Sequence, residues 1–154
     1  YKGVIFIGLM IVEGEPYVIE YNVRMGDPET EVVFPRIESD AVDLFEAIAR
    51  GSLSAVELSI NSQTAATVIA VSGGYPESYE KNKKIKGIEQ VVESVVFHAG
   101  TTLKDGVVTT SGGRVLAVTS LGKNKDEALA KSYQSLSQVK FDKMNYRKDI
   151  GFDL

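Results

Sequence analysis

Between Lys2 and Val12 the chain is an almost unbroken apolar run, Gly-Val-Ile-Phe-Ile-Gly-Leu-Met-Ile-Val after the lysine. No other segment restricts the fold so strongly. A β-branched run without polar alternation predicts a strand buried on both faces. It is too short to cross a bilayer, and it lacks the basic flank and small-residue cleavage site of a secretory leader. Glu13-Gly14-Glu15-Pro16 supplies turn residues, and residues 17–23 resume an extended pattern, so the opening segment reads as a β-hairpin. The chain begins at Tyr1 without Met and enters this strand almost at once, whereas most domains start with a few loose polar residues. The expectation is that either something was removed upstream or this is a piece of a longer protein.

Gly26-Asp27-Pro28 ends the hairpin. Asp27 reads as an N-cap, Pro28 as a first helical residue, and Glu29 and Glu31 suit the positive end of a helix dipole; Pro35 stops or kinks that short helix. A clearer helix follows Ser39 and Asp40, with Val42, Leu44, Phe45, Ile48 and Ala49 at helical spacing and Gly51 at the C-cap. Short β runs come next, at residues 56–60, 65–71, 92–99, 106–110 and 115–121, separated by Gly-rich turns. Residues 77–87 are polar and Lys-rich and read as a solvated loop or short helix. Asn124 and Glu127 resemble a capping box opening a helix through Ala128, Leu129, Tyr133 and Leu136, and residues 139–154 read as a last short strand and a turn. The fold class is α+β, with an internal boundary between Gly51 and Asn61.

Composition narrows the function classes. With 17 Lys and Arg against 21 Asp and Glu, the net charge is −4, and no basic excess marks a nucleic-acid binder. The absence of Cys excludes a disulfide scaffold, thiolate metal sites and a Cys nucleophile. A length of 154 residues suits one medium domain or two small ones.

The segment richest in chemistry is Tyr17-Val-Ile-Glu-Tyr-Asn-Val-Arg-Met-Gly-Asp-Pro-Glu-Thr-Glu31. Strand side chains alternate, so Glu20, Asn22 and Arg24 point one way and Ile19, Tyr21 and Val23 the other. Hard cations take oxygen ligands and often draw only one or two from the protein, leaving the rest to phosphates and water. Glu20 and Asn22 meet that requirement, and Arg24 suits a phosphate or carboxylate. A solvent-facing edge strand accounts for the same alternation, and both readings stand on these residues alone.

Several motifs together carry a resemblance. They are Tyr1-Lys-Gly-Val-Ile-Phe-Ile-Gly-Leu-Met10, Glu20-Tyr-Asn-Val-Arg-Met-Gly-Asp-Pro-Glu-Thr30, His98-Ala-Gly-Thr101, Thr110-Ser-Gly-Gly-Arg-Val-Leu116 and Tyr146-Arg-Lys-Asp-Ile-Gly151. In this order they resemble the carboxyl-terminal part of the glycinamide ribonucleotide synthetases (phosphoribosylamine–glycine ligases), ATP-grasp enzymes of purine biosynthesis. The resemblance covers essentially the whole chain. It implies residues 1–52 as the end of an ATP-grasp domain and residues 53–154 as a β-rich subdomain of the barrel-sandwich, rudiment single hybrid-like kind. The implied activity is ATP-dependent joining of glycine to 5-phosphoribosylamine through a glycyl phosphate, giving glycinamide ribonucleotide, ADP and phosphate. Glu20 and Asn22 would hold Mg²⁺ or Mn²⁺ bridging the ATP phosphates, and Arg24 would stabilise the transferring phosphoryl group. Wider ATP-grasp ligases often place a third acidic ligand about where Gly8 or Met10 falls, and neither residue can serve.

The resemblance further implies a cytoplasmic protein, a monomer or weak homodimer, with no nucleic-acid or membrane partner. Because a phosphate-gripping lid and an adenine pocket are not found in these residues, the chain alone is expected to be inactive. A non-catalytic β-rich module and another ATP-grasp ligase or carboxylase are the competing readings. Asp27 and Glu29 read either as helix-capping residues or as neighbours of the amine substrates or of metal-bound water. His98, the one imidazole, reads as a hydrogen-bonded structural residue in preference to a general base. Ser111-Gly112-Gly113 reads as a hairpin turn, with Arg114 able to reach a substrate phosphate.

Overall fold

The structure, a computed structural model, describes residues 1–152, so the last two positions of the expected terminal strand and turn lie outside the described residues. The chain is α+β and divides into two compact units, Tyr1–Ser62 and Gln63 onward. Among the described residues no helix is long and apolar enough to cross a membrane.

The first unit opens with β1 (Phe6–Val12) and β2 (Glu15–Asn22), an antiparallel pair. Their turn is only Glu13-Gly14, both at positive φ (54° and 88°), the geometry that matches strand twist in a two-residue hairpin. Burial on both faces is not what the strand shows. Ile7, Leu9, Met10 and Ile11 are 48 to 62% exposed, because among the described residues this sheet consists of two strands.

Residues 26–36 form a turn, a single helical turn α1 (Thr30–Val33) and a 3-10 turn at Phe34–Arg36 that contains Pro35. Then α2 (Ala41–Arg50) runs as the spacing predicts. Its Asp40 carboxylate accepts from the N–H groups of Val42 and Asp43, and Gly51 closes it at φ 74°. Only Leu44 and Ala47 of α2 are buried; Val42 and Phe45 remain exposed.

Residues 56–60 do not form the expected strand. They lie alongside residues 36–39 through one bridge, Ile37 with Ile60, and a set of side-chain bonds. Arg36 donates through Nε and Nη2 to the Asn61 carbonyl at 3.2 and 3.0 Å, while Glu38 accepts from Ser59 Oγ and Asn61 Nδ2. Two backbone bonds, Glu38 N–H to Ser59 O and Asn61 N–H to Arg36 O, complete the pairing, so a short bridge braced by side chains stands where a strand was expected.

The second unit centres on a three-stranded antiparallel sheet of β3 (Thr64–Val71), β4 (Val95–His98) and β7 (Arg114–Gly122), with β7 in the middle. Val68, Val115, Leu116 and Val118 are fully buried, and α3 (Lys125–Leu136) packs against β7 and β3. The buried stripe of α3 is Ala128, Ser132, Ser135 and Leu136, a small and partly polar face. Its hydroxyls are satisfied: Ser132 Oγ lies 2.9 Å from both Ala66 O and Ser120 Oγ, and Ser94 Oγ lies 2.7 Å from both Ser120 and Ser135 Oγ. Asn124 caps α3 by accepting from Glu127 N–H at 2.9 Å, and Glu127 accepts in return from Lys123 N–H.

A separate hairpin joins β5 (Thr101–Lys104) to β6 (Val107–Thr110) through Asp105-Gly106. The sequence marks that turn but not β5. Ser111-Gly112-Gly113 is therefore not a hairpin turn, since β6 pairs with β5 and β7 pairs with β3 and β4. It crosses between two sheets instead, where Gly100 and Gly112 approach each other and Gly113 lies against the Tyr75 ring. The described tail replaces the expected last strand with single bridges, Lys140 to Lys86 and Asn145 to Val71.

Candidate functional site

Glu20 and Asn22 occupy the last turn of β2's pleat, two residues apart and therefore on one face. Asn22 Nδ2 donates to Glu20 Oε1 at 3.1 Å, so the two side chains are brought together as alternation predicts. That bond leaves Glu20 Oε2 and Asn22 Oδ1 outside it, one carboxylate and one amide oxygen on the same surface. Both are hard donors of the kind Mg²⁺ and Mn²⁺ prefer. Among the described residues no group of three or more His, Cys, Asp or Glu could hold a metal ion, so a cation here would complete its shell from phosphates and water.

Pairing across the hairpin sets what faces this couple. Phe6 stands opposite Asn22 and Gly8 opposite Glu20, and the register then shifts so that Leu9 meets Val18. Ile19 is the extra residue, a β-bulge.

Arg24 is not on the strand. β2 ends at Asn22, the chain bends, and Arg24 Nη1 donates to the carbonyl of its neighbour Met25 at 3.1 Å. The expected face shared by Glu20, Asn22 and Arg24 therefore holds only for the first two.

Asp27 does not cap α1. The helix begins at Thr30 with Glu29 in the N-cap position and no side-chain cap, and the Asp27–Pro28 peptide bond is cis. The turn is closed instead by Thr30, whose N–H and Oγ1 both donate to the Gly26 carbonyl. Glu29 folds its carboxylate across Gly26, in the space where a Cβ would stand. Glu31, read from the sequence only as dipole-compatible, buries its Oε2 with no hydrogen-bond partner. Nothing in the local pattern distinguishes it from a solvated glutamate.

In the second unit Arg114 begins β7 opposite Val71. His98 Nδ1 is 2.9 Å from Thr101 Oγ1, a structural hydrogen bond that ties β4 to β5. The ring also lines an apolar cavity of about 380 Å³ with Ile85, Ile88, Glu89, Val107 and Val108. The Lys-rich loop is held by ion pairs. Lys143 and then Lys83 bind the Glu80 carboxylate and hold its pKa down to about 2, while Glu80 and then Asp142 raise that of Lys83.

Comparison with known proteins matches residues 65–153 to the family described as phosphoribosylglycinamide synthetase, C domain, and residues 1–30 to the ATP-grasp (A) domain of the same enzymes. A phosphoribosylamine–glycine ligase of Caldanaerobacter subterraneus subsp. tengcongensis is 43% identical over 98% of this chain, and one of Agrobacterium fabrum is 44% identical over 99%. The chain spans 36% of the length of each. A crystal structure of the phosphoribosylamine–glycine ligase of Thermotoga maritima superposes with a TM-score of 0.82 at 38% identity, covering 94% of this chain and 36% of that one.

Proposed function

Because this chain belongs to the phosphoribosylglycinamide synthetase family, we propose that it forms the cation-bearing end of an ATP-dependent ligase that joins glycine to 5-phosphoribosylamine. The observation that carries this reading is the Glu20–Asn22 couple, which lies within the residues matched to the ATP-grasp domain. In this reading the glycine carboxylate attacks the terminal phosphoryl group of ATP, releasing ADP. The amine of phosphoribosylamine then attacks the acyl carbon of glycyl phosphate and expels phosphate. A divalent cation, Mg²⁺ or Mn²⁺, supplies charge neutralisation on the phosphates when bound.

The protein's own part is positioning, which dominates phosphoryl transfer. Glu20 and Asn22 present fixed oxygens from a strand. Arg24 is an exposed cation one bend away, within the same segment, and suits the transferring phosphoryl group. Asp27 and Glu29 are assigned to the amine substrates, and Arg114 to the substrate phosphate. The enzyme works in the cytoplasm as a monomer or weak homodimer. Since the chain spans 36% of its relatives' length, it is not expected to turn over alone.

The test is made in the full-length protein. Glu20→Gln combined with Asn22→Ala should abolish Mg²⁺-dependent formation of glycinamide ribonucleotide. Near-normal turnover in that variant overturns the assignment of the pair, and turnover of a different amine acceptor with none of phosphoribosylamine overturns the substrate.

A further inference from the structure

We propose that Gly8, acting with the bulge at Ile19, is a positioning residue that holds the Glu20 carboxylate against Asn22. A glycine inside a strand weakens it, and its presence marks either an unusual backbone or a close approach. The backbone does not require it, since Gly8 is not among the glycines at positive φ. Space does. A Cβ on Gly8 would stand 3.0 Å from Glu20 Cγ, and 3.7 and 3.8 Å from the Glu20 backbone N and O, whereas at Gly14 of the same hairpin nothing lies within 4 Å. The stem of Glu20 therefore lies across the bare backbone of its partner strand.

The bulge is what puts Glu20 there. Counting from the turn, Val12 pairs with Glu15 and Leu9 with Val18; continued without interruption, that register would set Ile7 opposite Glu20 and Gly8 opposite Ile19. A one-residue slip moves side chains to the opposite face. With Ile19 bulged, Glu20 and Asn22 share the face of Gly8 and Phe6 and leave that of Ile7, Leu9 and Ile11. Glu20 is thereby laid over a residue that has no side chain to obstruct it, with Asn22 beside it opposite Phe6.

This placement concerns the carboxylate itself; its bearing on a cation rests on the reading of Glu20 and Asn22 given above. The experiment is side-chain NMR on the whole chain, comparing Gly8→Ala with Met10→Ala, a truncation at the next position along β1 on the same face. In Gly8→Ala the Asn22 amide protons should shift toward the free-amide position, and the Mn²⁺ concentration that broadens them should rise several-fold. Met10→Ala should leave both unchanged. An Asn22 amide unmoved by Gly8→Ala overturns the proposal. Failure of Mn²⁺ to broaden Asn22 in the unsubstituted chain overturns the cation reading alone, because the amide shift still judges Gly8. If Gly8→Ala unfolds the hairpin, adding Glu20→Ala should restore it by removing the obstructing stem. A hairpin that stays unfolded in the double variant, while Glu20→Ala alone folds, also overturns the proposal.

Discussion

Asn22 Nδ2 donates to Glu20 Oε1 at 3.1 Å, side chain to side chain, near the end of β2. The amide is the neutral partner that lets a carboxylate sit beside a second oxygen donor without charge repulsion. Asn22→Asp removes that donor and places two carboxylates side by side, whose like charges repel. The variant should be less stable than the parent in urea unfolding at low ionic strength, and the deficit should shrink as salt or Mg²⁺ is added. A variant as stable as the parent at every salt concentration would show that the side chains are farther apart in solution.

The hydroxyl network under α3 gives a test in the second unit. Ser132→Ala removes the group that meets Ala66 O and Ser120 Oγ, leaving buried partners short of a bond; such losses cost about 1–3 kcal/mol. Leu136→Ala, at a fully buried position of the same helix face, should cost more, about 2–5 kcal/mol, because a cavity adds to the lost transfer energy. Urea unfolding of the chain measures both. The reverse order would mean that α3 is held by its hydroxyls more than by its apolar contacts.

Glu80 supplies the pH dependence. Its folded pKa, about 2, lies below the 4.5 of the unconstrained group, so its contribution is fully present above 4.5 and is lost as pH falls toward 2. Glu80→Gln should therefore be less stable than the parent at neutral pH, and the difference should close through that window. The Glu80 carboxyl resonance should have its midpoint near 2 in the parent. Replacing Lys143, whose hydrogen bond is the largest cause of the shift, should raise it further than replacing Lys83. A midpoint near the ordinary value would show that the loop's ion pairs do not persist in solution.

The sequence made some of this legible and hid the rest for identifiable reasons. Local signals were sufficient where the chain interacts with its near neighbours: Asp40 and Gly51 bound α2, Asn124 opens α3, and the alternation on β2 pairs Glu20 with Asn22. The apolar run at residues 6–12 forms a strand as expected, yet burial is a property of what stacks on a strand, and periodicity carries no information about that. The inward face of α3 was obscured because two of its four buried residues are serines, whose cost of burial is met by partners distant in sequence. Asp27 has the chemistry of a cap, but the Thr30 N–H that its carboxylate would accept is already given to the Gly26 carbonyl. The bulge at Ile19 could not be read at all, since alternation counts residues along one strand and a bulge exists only between two.

The contrast between β7 and the opening hairpin has a consequence for local opening. β7 is paired on both edges and almost wholly buried, so its amides should exchange with solvent only when the second unit unfolds. Among the described residues β1 and β2 pair only with each other and are largely exposed, so their amides should exchange through local fluctuations of the hairpin. The carboxylate and amide that would hold a cation thus sit on a strand paired along one edge, among the described residues, and largely exposed. Any ligand bound there must also meet the cost of stilling the hairpin, and its occupancy can be read as slowed exchange at Glu20 and Asn22 with β7 unchanged.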